Sequence, residues 1–368
     1  MMRLSSTKWA FPLLGLLSVI FVYGLHMSLT SNSGDVSEGS DDVADKSLTS
    51  AGRRNETTEA SCSLRKTVRT DSLLAAHFSF SVPVFQWKES FSEQAWDYLK
   101  ERALPYGWKG VSVDDLKFIL SHLNSSDLLP RRSPHRCVRC AVVGNGGILR
   151  GSKQGKNIDS HDFVFRVNGA VTKGFEDDVG ERTSVYVFST NSMKNSLKSY
   201  FKSGFTKVPQ SPEVKYIFIP ADIRDFLMIK AAVLNETVSS GFDKGDRPWK
   251  YFGHKPPDSF KILHPDFISN ITHSLLRSKR LNNPKTRNVY MPSSGAMMLL
   301  TALHTCDQVS AFGFITRNYA DFSDHYYDLV KRRLVFYANH DLKLEGELWD
   351  ELHRRRVMKL YQRQLTEE

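Results

Sequence analysis

Five short, almost wholly apolar segments constrain this chain more than any other feature. Ala141-Val142-Val143, Phe163–Val167, Val185–Phe188, Val214–Ile219 and Val309–Phe314 are rich in β-branched and aromatic residues. Runs with so little polar alternation belong to strands covered on both faces, the environment of a parallel sheet. Turn residues stop three of them: Gly144-Asn145-Gly146-Gly147, Asn168-Gly169 and Pro220. The apolar stretch Ala296–His304 reads as a helix directly before the last strand. Strands interleaved with helices predict an α/β fold: one Rossmann-like domain with a largely parallel sheet. No internal repeat interrupts it, so 73–368 is read as a single domain.

Upstream, Ser92–Leu104 reads as an amphipathic helix with Trp96 and Leu99 on one face. Val113–Leu123 reads as another, with Asp114 and Asp115 suited to a helix start. Residues 30–72 are rich in Ser, Thr, Gly, Asp and Glu, which cannot bury a core, and are expected to form a flexible stem. Order is expected to begin between Leu73 and Phe91.

Trp9–Ser33 carries no Asp, Glu, Lys or Arg, and its apolar part is near the ~20 residues that span a bilayer. Arg3 and Lys8 precede it and Asp35, Glu38, Asp41 and Asp42 follow, which favours a cytosolic N-terminus. The expectation is a tail at 1–8, a signal-anchor at 9–29 and a luminal remainder. A cleaved signal peptide is the rival, but the run is long for one and lacks a small-x-small cleavage site. Sequons at Asn55, Asn124, Asn235 and Asn270 agree with a lumen. So does the even cysteine count, Cys62, Cys137, Cys140 and Cys306, which allows two disulfides in three connectivities. Cys137-x-x-Cys140 lacks the second ligand pair of a zinc site and precedes its strand, unlike a redox pair. The net charge of +10 is scattered, without zinc-finger spacing or aromatic-basic repeats, so no nucleic-acid partner is expected.

Candidate chemistry gathers at strand ends. Asn145 and Asn168 each follow a strand, where ligands of open α/β sheets bind. The glycine turn is as compatible with a plain tight turn as with a ligand; Leu149 stands where a dinucleotide fingerprint needs glycine. Ser293-Ser294-Gly295 opens the apolar helix and would offer free amides to an anion, or simply cap the helix. His325 and His340 are candidate acid–base residues, Glu345 orienting His340 only if the chain folds back. No Asp-x-Asp metal motif occurs.

Four ordered motifs then stand out. Cys140–Ser184, reading CAVVGNGGILRGSKQGKNIDSHDFVFRVNGAVTKGFEDDVGERTS, resembles the large motif of the animal sialyltransferase family. Pro292–Phe314 resembles its small motif, Asp324-His-Tyr-Tyr-Asp328 the third, and His340 with Glu345 the very small motif. Pro105-Tyr-Gly-Trp108, Ile262–Phe267 and Lys359-Leu-Tyr-Gln-Arg363 resemble the members that act on O-linked GalNAc.

This resemblance implies a metal-independent variant of the GT-A fold, with CMP-sialic acid as donor substrate and no cofactor. It implies bridges Cys62–Cys137 and Cys140–Cys306. Asn145 and Asn168 would contact the donor's phosphate and ribose, Ser293, Ser294 and Gly295 the sialic acid carboxylate, and Gly313 the nucleotide. His325 would stabilise the departing phosphate and His340 would be the base. The reaction implied is α-2,6 transfer to GalNAc on Ser or Thr of glycoproteins, in the Golgi membrane. Other linkages, or a glycan-binding protein without turnover, are the alternatives.

Overall fold

The computed structural model describes residues 62–130 and 136–364. One sheet organises them: β1 (Phe85–Gln86), β2 (Arg139–Val143), β3 (Phe163–Val167), β4 (Val185–Phe188), β5 (Lys215–Phe218), β6 (Phe260–Leu263), β7 (Gln308–Phe312) and β8 (Lys359–Leu360). Its order is β1-β6-β5-β4-β3-β2-β7-β8. All neighbours are parallel except the antiparallel edge strand β1 on β6.

The apolar runs are explained by burial on both faces. Val142, Phe165, Val187 and Ile217 join one core, while the alternate residues Val143, Val164, Phe188 and Phe218 join another. Period-two projection thus fills two hydrophobic layers from the same strands. β6 carried no such signal, because Lys261 lies in its middle. That side chain is buried and its Nζ donates to the Ser125 carbonyl at 2.6 Å.

From β2 the chain steps outward through β3, β4 and β5 to β6. Helix Ser294–Thr305 then returns it to β7, on the other side of β2. Its stretch Ala296–His304 is wholly buried, and it packs across β2, β3, β4 and β7. A disulfide joins Cys140 in β2 to Cys306, the residue that ends this helix. Closing a loop of 166 residues restricts the unfolded chain by about 5 kcal/mol on the chain-entropy relation. A second disulfide joins Cys62 to Cys137.

Two expectations need correction. Order begins before Leu73: helix Leu64–Thr70 buries Leu64 and Val68, and the Leu64 N–H donates to the Asp307 carbonyl at 2.8 Å. The expected helix Ser92–Leu104 covers only Glu93–Leu99, with Ser92 as its N-cap. Pro105 disfavours helix just before it. The carbonyls of Leu99 and Arg102 accept instead from the N–H groups of Trp108 and Lys109. The tail, the anchor at 9–29, most of the stem and Asn55 lie outside the described residues. Among those described, no helix is long and apolar enough to cross a membrane.

Candidate active site

The seam between β2, β3 and β7 opens at the carboxyl ends of the strands into a cleft of about 300 Å³. Asn145, Asn168, Ser293, Ser294, Gly295, Gly313, His325 and His340 all line it, as does Glu345. Strand order reverses at this point, the usual place for a ligand in an open α/β sheet. A larger groove of about 830 Å³ lies by the first residues of β2 and β7 and contains none of these side chains.

The glycines of the turn after β2 serve the protein's own backbone. A Cβ on Gly144 or Gly146 would come within 2.7 Å of the Gly313 carbonyl, and one on Gly147 within 2.1 Å of the Ser323 carbonyl. The N–H groups of Gly144 and Gly146 donate to the Phe312 and Gly313 carbonyls at 2.8 and 2.9 Å. Gly146 also forms an isolated bridge with His325. Gly313 has φ +69°, the left-handed region where glycine is unstrained. The turn therefore locks β2, β7 and the His325 segment together.

Two amides are held in this frame with capacity to spare. Asn145 Nδ2 donates to the Val167 carbonyl at 3.2 Å, while its Oδ1 is buried without a partner. Asn168 adopts φ +50°, which asparagine tolerates, and its Oδ1 is likewise unpartnered. Buried polar atoms of this kind call for a ligand or water.

Opposite them stands the N-terminus of helix Ser294–Thr305. Ser293 caps it, its Oγ accepting from the Ala296 N–H at 3.0 Å. The Ser294 and Gly295 amides remain for an anion at the positive end of the helix. Glu345 holds the cap: its carboxylate accepts from the Ser293 N–H at 2.9 Å and from its Oγ–H at 2.7 Å. Burial pushes that carboxyl up to about 7, against the pull of the Ser293 bonds. The carboxylate thus orients Ser293, not His340.

His340 is oriented by the main chain. Its Nδ1 lies 2.9 Å from the Met291 carbonyl, which can only accept a hydrogen bond, so Nδ1 carries the N–H and Nε2 the lone pair in the neutral ring. Asn339 Nδ2 lies 3.1 Å from Nε2. Burial lowers the His340 pKa, with the Met291 bond opposing and Arg280 adding to the effect. A neutral imidazole whose lone pair is engaged only by the Asn339 amide is equipped to take a proton once that amide gives way. Across the cleft, His325 stacks on Tyr327 at 5.0 Å between ring centres, and its Nδ1 is 3.5 Å from Asp324 Oδ2. Burial pushes the Asp324 carboxyl up while His325 draws it down. Tyr200, whose hydroxyl lies 3.5 Å from His325 Nε2, had no distinguishing signal in the sequence. Nor did Met291, which acts through its carbonyl alone.

A cleft at the seam of the sheet, a capped helix end facing it and a buried histidine together have the form of a group-transferring enzyme's site. The chain belongs to glycosyltransferase family 29, the sialyltransferases, whose profile matches residues 85–357. It is 56% identical over 292 residues to human alpha-N-acetylgalactosaminide alpha-2,6-sialyltransferase 2, covering 78% of each chain. A mouse CMP-N-acetylneuraminate-beta-1,4-galactoside alpha-2,3-sialyltransferase is 31% identical over 288 residues, 76% of this chain and 71% of the relative. The crystal structure of a mammalian sialyltransferase superposes with a TM-score of 0.58 at 25% identity, covering 80% of this chain and 94% of the other.

Proposed function

We propose that the protein transfers sialic acid from CMP-sialic acid, in α-2,6 linkage, to GalNAc O-linked to Ser or Thr of glycoproteins, with or without galactose on that GalNAc. The observation that carries the reading is the convergence of His340, His325 and the Ser293 helix end on one cleft. The named activity of the human relative at 56% identity supports the acceptor and linkage.

The reaction is a single inverting displacement. His340 Nε2 takes the proton of the acceptor 6-hydroxyl as that oxygen attacks the anomeric carbon. The bond to the CMP phosphate breaks on the opposite face. Charge on the departing phosphate is met by His325, and the sialic acid carboxylate by Ser293, Ser294 and Gly295. Asn145 and Asn168 spend their free amide oxygens on the donor, and Gly313 borders its nucleotide. No metal enters this scheme. The catalytic domain works in the Golgi lumen, held by a type II anchor at 9–29. Two disulfides, with exposed sequon asparagines at Asn124 and Asn235, suit that compartment. Asn270 is half-buried, and Thr272 of its sequon is fully buried.

The test is transfer from CMP-sialic acid to GalNAc-peptide, galactosyl-GalNAc-peptide and lactosamine, with linkage analysis and an EDTA arm. His340→Ala should lower transfer by about 10²–10⁴-fold while CMP affinity holds. A fully active His340→Ala protein rejects the base assignment, and product on lactosamine alone rejects the acceptor.

A further inference from the structure

The segment between His325 and His340 is the most apolar exposed surface beside the cleft. Leu329 is 89% exposed, Val330 74%, Val335 48% and Tyr337 61%. Such a cluster costs solubility without benefit unless something covers it. It is tied to the reacting centre at both ends. Asp324 and Arg332 pair through their backbones at 2.9 Å, and the His340 N–H donates to the Tyr337 carbonyl at 3.3 Å. Between these ties the side chains divide. Leu334 lines the cleft, and Phe336 packs edge-on against Tyr319, another lining residue, at 5.6 Å. Val335 and Tyr337 stand outward.

The main chain there is also uncommitted. From Arg333 to Phe336 no backbone N–H or C=O forms a hydrogen bond among the described residues. Lys331 and Arg333 are exposed and lack a carboxylate partner among the described residues. Apolar side chains alternating with inward anchors, free main-chain groups and flanking cations are what an extended polypeptide needs.

We propose that Val335 and Tyr337, with the free backbone of 333–336 and the cations Lys331 and Arg333, form a ledge that binds the polypeptide flanking the acceptor sugar. It favours an apolar stretch carrying an acidic side chain. The occupant follows from continuity: a sugar whose hydroxyl faces His340 is attached to a chain that leaves the cleft, and the exposed Tyr337, whose carbonyl accepts from the His340 N–H, stands beside that histidine. This inference rests on the acceptor reading above.

The experiment compares the parent with Val335→Ser/Tyr337→Ser on a GalNAc-peptide and on the methyl glycoside of GalNAc. The variant should lose about tenfold in kcat/KM on the peptide and stay within about twofold on the glycoside. The unglycosylated peptide should compete with the glycoside on the parent and not on the variant. A second variant, Lys331→Glu/Arg333→Glu, should reverse a preference for a Glu-bearing over a Lys-bearing peptide. Unchanged peptide kinetics, or equal losses on both acceptors with CMP affinity intact, overturn the ledge. A parent that sialylates neither GalNAc acceptor overturns the acceptor reading itself, and the ledge with it.

Discussion

Replacing Glu345 with Gln removes a charge while keeping the shape that holds Ser293. The carboxyl is 2% exposed and titrates near 7 instead of 4.5, with burial as the main cause. At about 1.4 kcal/mol per pH unit, ionising it in the folded chain costs about 3 kcal/mol net of the Ser293 bonds. The sign follows from proton linkage. Between the two pKa values the native state holds a proton that the unfolded chain has released, so stability falls as pH rises from 4.5 through about 7. The glutamine side chain escapes this loss, since its amide oxygen accepts from the Ser293 N–H and its NH₂ faces the Ser293 hydroxyl. Thermal unfolding at pH 5 and pH 8 measures the difference. The two proteins should melt together at pH 5, with Glu345→Gln ahead by about 5 °C at pH 8. A Glu345→Gln protein that is less stable than the parent at pH 8, by the same margin as at pH 5, refutes the idea that the buried charge is a burden. The Glu345→Gln protein should also bind donor more weakly than the parent at pH 8, because it lacks the charge that accepts from both Ser293 groups and tightens the cap that aims the Ser294 and Gly295 amides.

Two further outcomes are expected. The acid limb of kcat/KM should lie below 6.5, because burial lowers His340 and the neutral ring is the active form; a limb above 6.5 contradicts that. Gly313→Ala puts a Cβ at positive φ, 2.7 Å from both the Gly144 carbonyl and Leu149 Cδ1. It should lose about 2–4 kcal/mol in denaturant unfolding and weaken CMP binding, and an unchanged midpoint would remove the close approach as the reason for glycine.

The central strands were legible because burial on both faces left no polar alternation to misread. β6 was not, since Lys261 reaches a carbonyl and breaks the apolar run. Two-residue strands such as β1 and β8 carry too little pattern to find. Asn145 and Asn168 were legible as residues following strands, and the serine cap as a helix start. The partner of Glu345 was not: Ser293 is 52 residues away, and only the fold brings them together. The glycine turn shows a different limit. Sequence alone left a ligand and a tight turn equally open, and the atoms pressing on those glycines are main chain of Gly313, just after β7, and of Ser323.

The placement of β2 between β3 and β7 has a consequence for the life of the chain. One neighbour follows within about twenty residues, whereas the other arrives only after more than 160. A ribosome therefore delivers six of the eight strands before β7, the last of the three that border the cleft. Until β7 docks and Cys306 is oxidised against Cys140, the asparagines have no fixed helix end facing them and the cleft lacks its Gly313 wall. Transfer activity is thus among the last properties the nascent protein acquires. A chain in which Cys140 and Cys306 stay reduced would keep its early strands yet lack the covalent tie that fixes the helix end over the cleft.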